Sequence, residues 1–345
     1  MGIVLYNGGT LYIDEGKPTP KGIAHTLRNL REISPTIYFN VPKGFEEIVS
    51  AMDNDKALRD SLFKRVKAFM FAGAGLSQAV WDKLDRHGEE AIGCRVRVIT
   101  GLGMTETAPS CTFAVGTDVQ SGWIGLPVPG VEVKLVPMGD KTEVRFRGPN
   151  VMPGYWRAPQ QTADAFDEEG FYCTGDAVRY VDAEQTNRGL FFDGRLAEDF
   201  KLSTGTFVSV GPLRARVLAA GAPLVQDSVV AGMNRDEIAL LIYPRIDECR
   251  ALAGLDASAG AADVMAHPAV RAFFQKLVDK LWADGTGSAN RVARALVLLD
   301  PPSIDAGEVT DKGSINQRAV LKHRAAIVDA LYDGRDAQIL LPRSA

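Results

Sequence analysis

The chain predicts an α/β fold in two domains: a large one of mixed sheets with helices plus a small antiparallel β subdomain, then a small α+β domain at the C-terminus. Three observations carry the prediction. Between residues 23 and 71 short apolar runs alternate with segments of helical period, the layering of a largely buried sheet flanked by helices. Between Val131 and Arg147 polar and apolar residues alternate, which reads as an antiparallel hairpin. After Pro268 an apolar stripe at helical spacing marks a different unit.

Element by element, Ile23, Leu27 and Leu30 recur at helical spacing, while Thr36–Phe39 and Val66–Phe71 are β-branched and aromatic runs that predict strands. Glu132–Val136 and Thr142–Arg147 are the arms of the hairpin, with Pro137–Lys141 as its turn and one face wet. The second unit begins near Arg195. Strands are predicted at Val229–Ala231 and Ala239–Tyr243. Val270, Phe273, Phe274, Leu277, Val278, Leu281 and Trp282 line one face of a helix stopped by Gly285, and a last helix runs from about Ile315 to Leu331, ended by Asp333-Gly334. Gly254–Ala262, rich in Ala, Gly and Ser, predicts a surface loop or a poorly ordered insertion.

A chain of 345 residues with 46% hydrophobic content has the length for one large or two moderate cores. Net charge is −4, with acids and bases interleaved, so neither nucleic acid nor an anionic membrane finds an electrostatic footprint. A small molecule is the expected partner. Cys94, Cys111, Cys173 and Cys249 stand far apart, as do His25, His87, His267 and His323, which leaves no metal spacing and no disulfide framework. The cysteines read as small buried hydrophobes of a reduced, cytoplasmic protein. No secretory signal and no apolar run long enough to cross a bilayer is present in the sequence.

Three strings in fixed order carry the chemistry: Leu102-Gly103-Met104-Thr105-Glu106, Tyr172-Cys173-Thr174-Gly175-Asp176, and Asp193-Gly194-Arg195 running on to Lys201. Activating a carboxylic acid by attaching AMP requires donors and a metal at the phosphates and a clamp on the ribose diol. Gly103 lets a backbone approach a ligand closely, Thr105 offers a hydroxyl to phosphate, and Glu106 is a hard oxygen ligand for Mg²⁺. Asp176 can accept both ribose hydroxyls, and Arg195 can donate to the same ribose or to the α-phosphate. Each residue also has a plainer reading: Thr105-Glu106 as a capped helix start, Asp176 as a turn residue after Gly175, Arg195 as a surface ion-pair partner.

Together with Ala72-Gly73-Ala74-Gly75-Leu76-Ser77, Gly125–Gly130, Arg147-Gly148-Pro149 and Gly154-Tyr155-Trp156, these strings resemble the C-terminal half of an adenylate-forming enzyme, the superfamily of acyl-CoA synthetases, luciferases and nonribosomal-peptide adenylation domains. The resemblance covers most of residues 70 to 215. Thr100–Pro109, Gly194–Lys201 and Thr310-Asp311-Lys312-Gly313 are similar to feruloyl-CoA synthetases within it. The resemblance implies a partial large adenylation domain over residues 1–195 and a small mobile domain over 196–345. It implies an ATP-dependent acid–thiol ligase for an aromatic acid such as ferulate, using ATP, Mg²⁺ and CoA. Gly73, Ala74 and Gly75 would line the adenine and acyl pocket, Thr105 and Glu106 would handle phosphate and Mg²⁺, and Asp176, Arg195, Lys201 and Gly205 would bind the nucleotide. The small domain would rotate about a hinge just after Arg195 to admit CoA. A non-catalytic nucleotide-binding remnant or subunit, and an adenylation domain serving a carrier protein, are the alternatives.

The sequence also departs from the family pattern. Leu102 stands where an aromatic residue usually flanks adenine, and Ala197 occupies the hinge position. Near the C-terminus Ser314 stands where the adenylation Lys belongs and Lys312 comes two residues earlier; it is read either as a displaced catalytic Lys or as a solvated turn residue. Tyr155 and Trp156 are expected to pack under the hairpin, and Gly73 and Gly75 to form a strand-to-helix turn ahead of Ser77. No Gly-rich run in residues 1–70 matches the family's phosphate loop. The resemblance thus places that loop upstream and leaves surface for self-association or a partner chain.

Overall fold

The computed structural model describes residues 2–17, 22–73, 75–116, 118–310, 314–334 and 338–343. The chain forms two compact units, one of residues 1–101 with 113–121, the other of 102–112 with 122–345.

In the first unit a short helix, Gly2–Tyr6 (α1), precedes α2 (Ile23–Glu32), β1 (Ile37–Asn40), α3 (Pro42–Met52), α4 (Lys56–Phe63), β2 (Ala68–Phe71), α5 (Gln78–Ile92) and β3 (Arg97–Leu102). Strands β1, β2 and β3 pair in parallel, which long crossovers require. The core is aromatic: Phe69 packs edge-to-face against Phe45 at 5.8 Å and Phe63 at 5.6 Å, and Phe71 against Trp81 at 5.7 Å, the geometry that ring quadrupoles favour. Asp55 caps α4 through the Leu58 N–H, Ser77 caps α5 through Val80, and Gly93 closes α5 in the left-handed conformation. Both predicted strands exist, shifted by one or two residues. β1 is not covered on both faces: Ile37 and Phe39 are each about half exposed.

A short strand, β4 (Thr112–Ala114), leads to the antiparallel part of the second unit: β5 (Trp123–Pro127), β6 (Glu132–Met138), β7 (Lys141–Arg147), the short helix α6 (Pro159–Asp164), β8 (Tyr172–Tyr180) and β9 (Leu190–Arg195). The neighbours run β5-β9-β8-β7-β6. The predicted hairpin is present, but its turn is only Gly139-Asp140, because Met138 already pairs with Lys141; Gly139 takes φ +67° there. β7 has no wet face. Val144 and Phe146 enter a core with Ile124, Val178 and Leu190, and the opposite residues Lys141 and Glu143 are buried as well. Those charges are paired, which the alternation pattern does not reveal: Glu143 meets Arg145 at 2.7 Å and Lys141 meets Asp199 at 2.7 Å.

The remainder comprises the hairpin β10 (Phe200–Lys201) and β11 (Phe207–Val208), then α7 (Val210–Gly221), β12 (Val225–Ala231), β13 (Ile238–Pro244), α8 (Ile246–Ala253), α9 (Ala261–Ala266), α10 (Pro268–Ala283), β14 (Val292–Val297), α11 (Gln317–His323) and α12 (Ala325–Asp333). β13 is central, antiparallel to β12 and parallel to β14. Val230, Leu240 and Ile242 pack with Val217, Phe274, Leu277 and Leu281. The alternate residues Val229, Leu241 and Tyr243 pack with Val320 and Leu331. This is the expected α+β layer arrangement. Residues 254–260 form the expected surface loop, tied down by Leu255 and Ala259 against the core, and α9 starts at Ala261. One detail differs from expectation. The last helix is broken at Arg324, whose guanidinium is drawn to Asp300 O, Pro301 O and the Glu308 carboxylate.

No helix among the described residues is long and apolar enough to cross a membrane.

Candidate functional site

The Thr105–Thr107 segment is a single 3₁₀ turn held by Thr107, whose hydroxyl accepts from Met104 N–H at 3.0 Å and donates to Met104 O at 3.1 Å. Ala108 adopts φ +53°, and the chain doubles back so tightly that a Cβ on Gly103 would lie 1.7 Å from Pro109 O. Gly103 therefore serves the fold of this loop, a correction to its reading as a ligand-approach glycine. Thr105 is exposed and Glu106 half-buried. Residues 150–155 grip the turn from outside: Asn150 Nδ2 donates to Thr107 O and Ser110 O, and Met152 N–H to Glu106 O at 2.8 Å.

Asp176 lies on β8 opposite Arg195 on β9. The approach to it is set by Gly175, at φ +68°, whose N–H donates to Glu143 Oε1 at 2.9 Å, and by Thr174, whose hydroxyl donates to Val144 O. Asp176 is 6% exposed. No described donor hydrogen-bonds to its carboxylate, and the nearest cation, Arg195 Nε, stands 3.6 Å from Oδ1 on a side chain that is largely in solvent. Burial, aided by the nearby negative charges of Glu198 and Glu143 and opposed by Arg195, pushes its pKa up to about 6. A buried acceptor left without donors is a site for donors from outside the chain.

Glu106 accepts from the Tyr155 hydroxyl at 3.0 Å through Oε1, and the Tyr172 hydroxyl lies 3.5 Å from that of Tyr155. Tyr172 opens β8, and its phenol is held protonated by burial and by the negative charges of Glu106 and Asp176. The structure therefore brings the first two strings and Arg195 together. Tyr155 was expected to pack under the hairpin; it touches the candidate site, and the signal was its place in Gly154-Tyr155-Trp156. Trp156 packs under nothing, at 87% exposed.

Other expected residues lie elsewhere. Lys201 is exposed on β10, and Gly205 (φ +81°) sits in the β10–β11 turn; no hydrogen bond or ion pair joins either to Glu106, Asp176 or Arg195 among the described residues. Gly73 (φ +93°) and Gly75 belong to the first unit, in the turn before Ser77. Ala74 and Lys312 lie outside the described residues. Thr310 and Ser314 pair through Thr310 N–H to Ser314 O and through their hydroxyls at 2.7 Å. Of the cysteines, Cys111 and Cys249 are buried as expected, whereas Cys94 is exposed and Cys173 half-buried.

Among the described residues no three His, Cys, Asp or Glu side chains converge as a metal cage. Mg²⁺ takes one or two carboxylates and keeps water and phosphate as its other ligands. Glu106, with one oxygen held by Tyr155 and no cation paired to it among the described residues, fits that role.

Residues 1–156 match the AMP-binding enzyme family and residues 199–336 the AMP-binding enzyme C-terminal domain. The chain belongs to this AMP-binding enzyme family. It is 27% identical over 259 residues to the probable acyl-activating enzyme 16 of Arabidopsis thaliana, covering 70% of this chain and 35% of that protein. It is 29% identical over 178 residues to a probable 4-coumarate–CoA ligase of Dictyostelium discoideum, covering 49% of this chain and 30% of the relative. In fold it resembles the anthranilate CoA ligase AuaEII in complex with anthranoyl-AMP, with a TM-score of 0.68 at 21% identity, covering 94% of this chain and 55% of that one. The chain thus spans about a third of these curated relatives and about half of the solved chain.

Proposed function

We propose that this chain carries the ribose- and cation-binding portion of an ATP-dependent acid–thiol ligase that forms an acyl-adenylate and then an acyl-CoA, with an aromatic acid such as ferulate as substrate. The observation that carries the reading is Asp176, a buried carboxylate with no hydrogen-bond donor among the described residues, opposite Arg195. Two vicinal hydroxyls would satisfy its two oxygens, and Arg195 would neutralise the charge from the solvent side. Mg²⁺ held by Glu106 would offset phosphate charge, with Thr105 donating to a phosphate oxygen. In this reading residues 1–195 are the large-domain portion and 196–345 the mobile domain, in keeping with a C-terminal family match that begins at residue 199. Rotation about Ala197 would separate Lys141 from Asp199, so the CoA step would have to break a buried ion pair. Lys312 is proposed as the adenylation lysine, and Gly73, Ala74 and Gly75 as pocket residues. CoA is proposed as the acceptor, in line with relatives named as coumarate and long-chain fatty acid CoA ligases; a relative named as a long-chain-fatty-acid–[acyl-carrier-protein] ligase keeps a carrier protein as the alternative.

Calorimetry of the chain with AMP, together with pyrophosphate exchange using ferulate and ATP, tests this. AMP binding that Asp176→Asn abolishes supports the site, and exchange supports a ligase active within this chain. Binding without exchange marks a nucleotide-binding subunit that needs further polypeptide. Absence of AMP binding sinks the reading.

A further inference from the structure

Glu106 is a half-buried carboxylate with a single described hydrogen bond, from the Tyr155 hydroxyl to Oε1. An ionised carboxylate only accepts, so the phenol donates, and its own oxygen is left to accept from Tyr172 O–H 3.5 Å away. Tyr155 is in turn fixed from behind. Its N–H donates to Thr162 Oγ1 at 2.9 Å, Thr162 donates to Ala158 O at 2.9 Å, and Gly154 (φ +152°) lies so close to Thr162 that a Cβ there would meet its Cγ2 at 2.6 Å. The backbone under Glu106 is held by the same segment through Met152 and Asn150. A carboxylate anchored at one oxygen and at its backbone keeps one orientation, and its Oε2 has no described donor.

We propose that Tyr155 is a positioning residue for Glu106: its phenol fixes the carboxylate through Oε1 and reserves Oε2 for the divalent cation that accompanies the nucleotide phosphates. This rests on the cation role of Glu106 proposed above. Partners that orient a ligating carboxylate commonly contribute about 10- to 100-fold to metal affinity, and a phenol that loses only its oxygen in Tyr155→Phe isolates that contribution.

The test uses the whole chain, Mn²⁺ as probe and α,β-methylene ATP as a nucleotide that cannot release pyrophosphate. Calorimetry measures how much Mn²⁺ tightens nucleotide binding, with adenosine, which needs no cation, as control. In Tyr155→Phe the Mn²⁺-dependent gain should fall about tenfold while adenosine affinity stays within about twofold. In a Glu106→Gln background Tyr155→Phe should remove nothing further, because it acts through that carboxylate. An unchanged gain in Tyr155→Phe, an equal loss in the Glu106→Gln background, or a parallel loss of adenosine affinity overturns the proposal. A wild-type chain with no Mn²⁺-dependent gain removes the cation site itself, a failure distinguishable from that of Tyr155 alone.

Discussion

Asp176 and Asp199 are both buried carboxylates of the second unit, and the fold treats them in opposite ways. Asp199 is paired from within: Lys141 Nζ forms an ion pair with Oδ2 at 2.7 Å and donates its hydrogen bond to Asp193 O, while Oδ1 accepts the N–H of Val210 at the start of α7. Asp176 has an exposed arginine at 3.6 Å and no hydrogen-bond donor among the described residues. An internal partner turns a buried charge into a structural tie; its absence leaves a charge that destabilises the empty fold and becomes useful when a ligand supplies the donors.

The comparison is most sharply broken by making the same substitution at both positions. Asp199→Asn leaves Lys141 buried without its counter-charge and should cost about 3–5 kcal/mol in urea unfolding; Lys141→Met combined with Asp199→Leu should recover most of that, since an apolar pair needs no solvation. Asp176→Asn should have the opposite sign. Because the folded-state pKa of Asp176 is about 6 against an ordinary 3.8, the folded chain holds that proton longer than the unfolded chain does. Its contribution to stability is therefore present below about pH 4 and lost as pH rises through about 6. The amide should stabilise the chain by up to about 3 kcal/mol at pH 7, with the gain gone at pH 4. Destabilisation by Asp176→Asn at pH 7 would mean that the carboxylate has an internal partner after all.

Ligand binding carries smaller effects. Asp176→Asn should weaken adenosine binding about 100-fold, from two charge-assisted hydrogen bonds of about 1.5–3 kcal/mol each, partly kept by the amide. With wild type, adenosine affinity should rise about tenfold from pH 5 to above pH 7, as the carboxylate ionises around pH 6; adenosine is the probe because a phosphate would titrate in the same window. A flat profile would remove Asp176 from the ribose site. Arg195→Ala, on a side chain mostly in water, should weaken AMP by less than about tenfold and move stability by under about 0.5 kcal/mol.

Local patterns were legible. The helical period placed α10 to within a residue or two and alternation found β6 and β7, because periodicity records which face meets the core, while β13 stood out as a continuous apolar run. Alternation misjudged β7, where Lys141 and Glu143 look like a solvent face; sequence distance hides partners such as Asp199. It also missed the break at Arg324, since a helical period continues across a residue whose side chain is captured by Glu308 and two carbonyls. At the site, Thr105, Glu106, Asp176 and Arg195 are proposed from their order and type, whereas Tyr155 was read as packing because a lone aromatic says nothing of where its hydroxyl points.

By itself the sequence determined the superfamily, the order of the elements and the residue types offered to a nucleotide, since these reside in short strings and in periodic burial. Only the tertiary structure decided which acid would be tied and which left open. Pairing is a matter of a few ångströms between residues far apart in the chain: Lys141 reaches Asp199, Tyr155 reaches Glu106, and no described residue donates to Asp176.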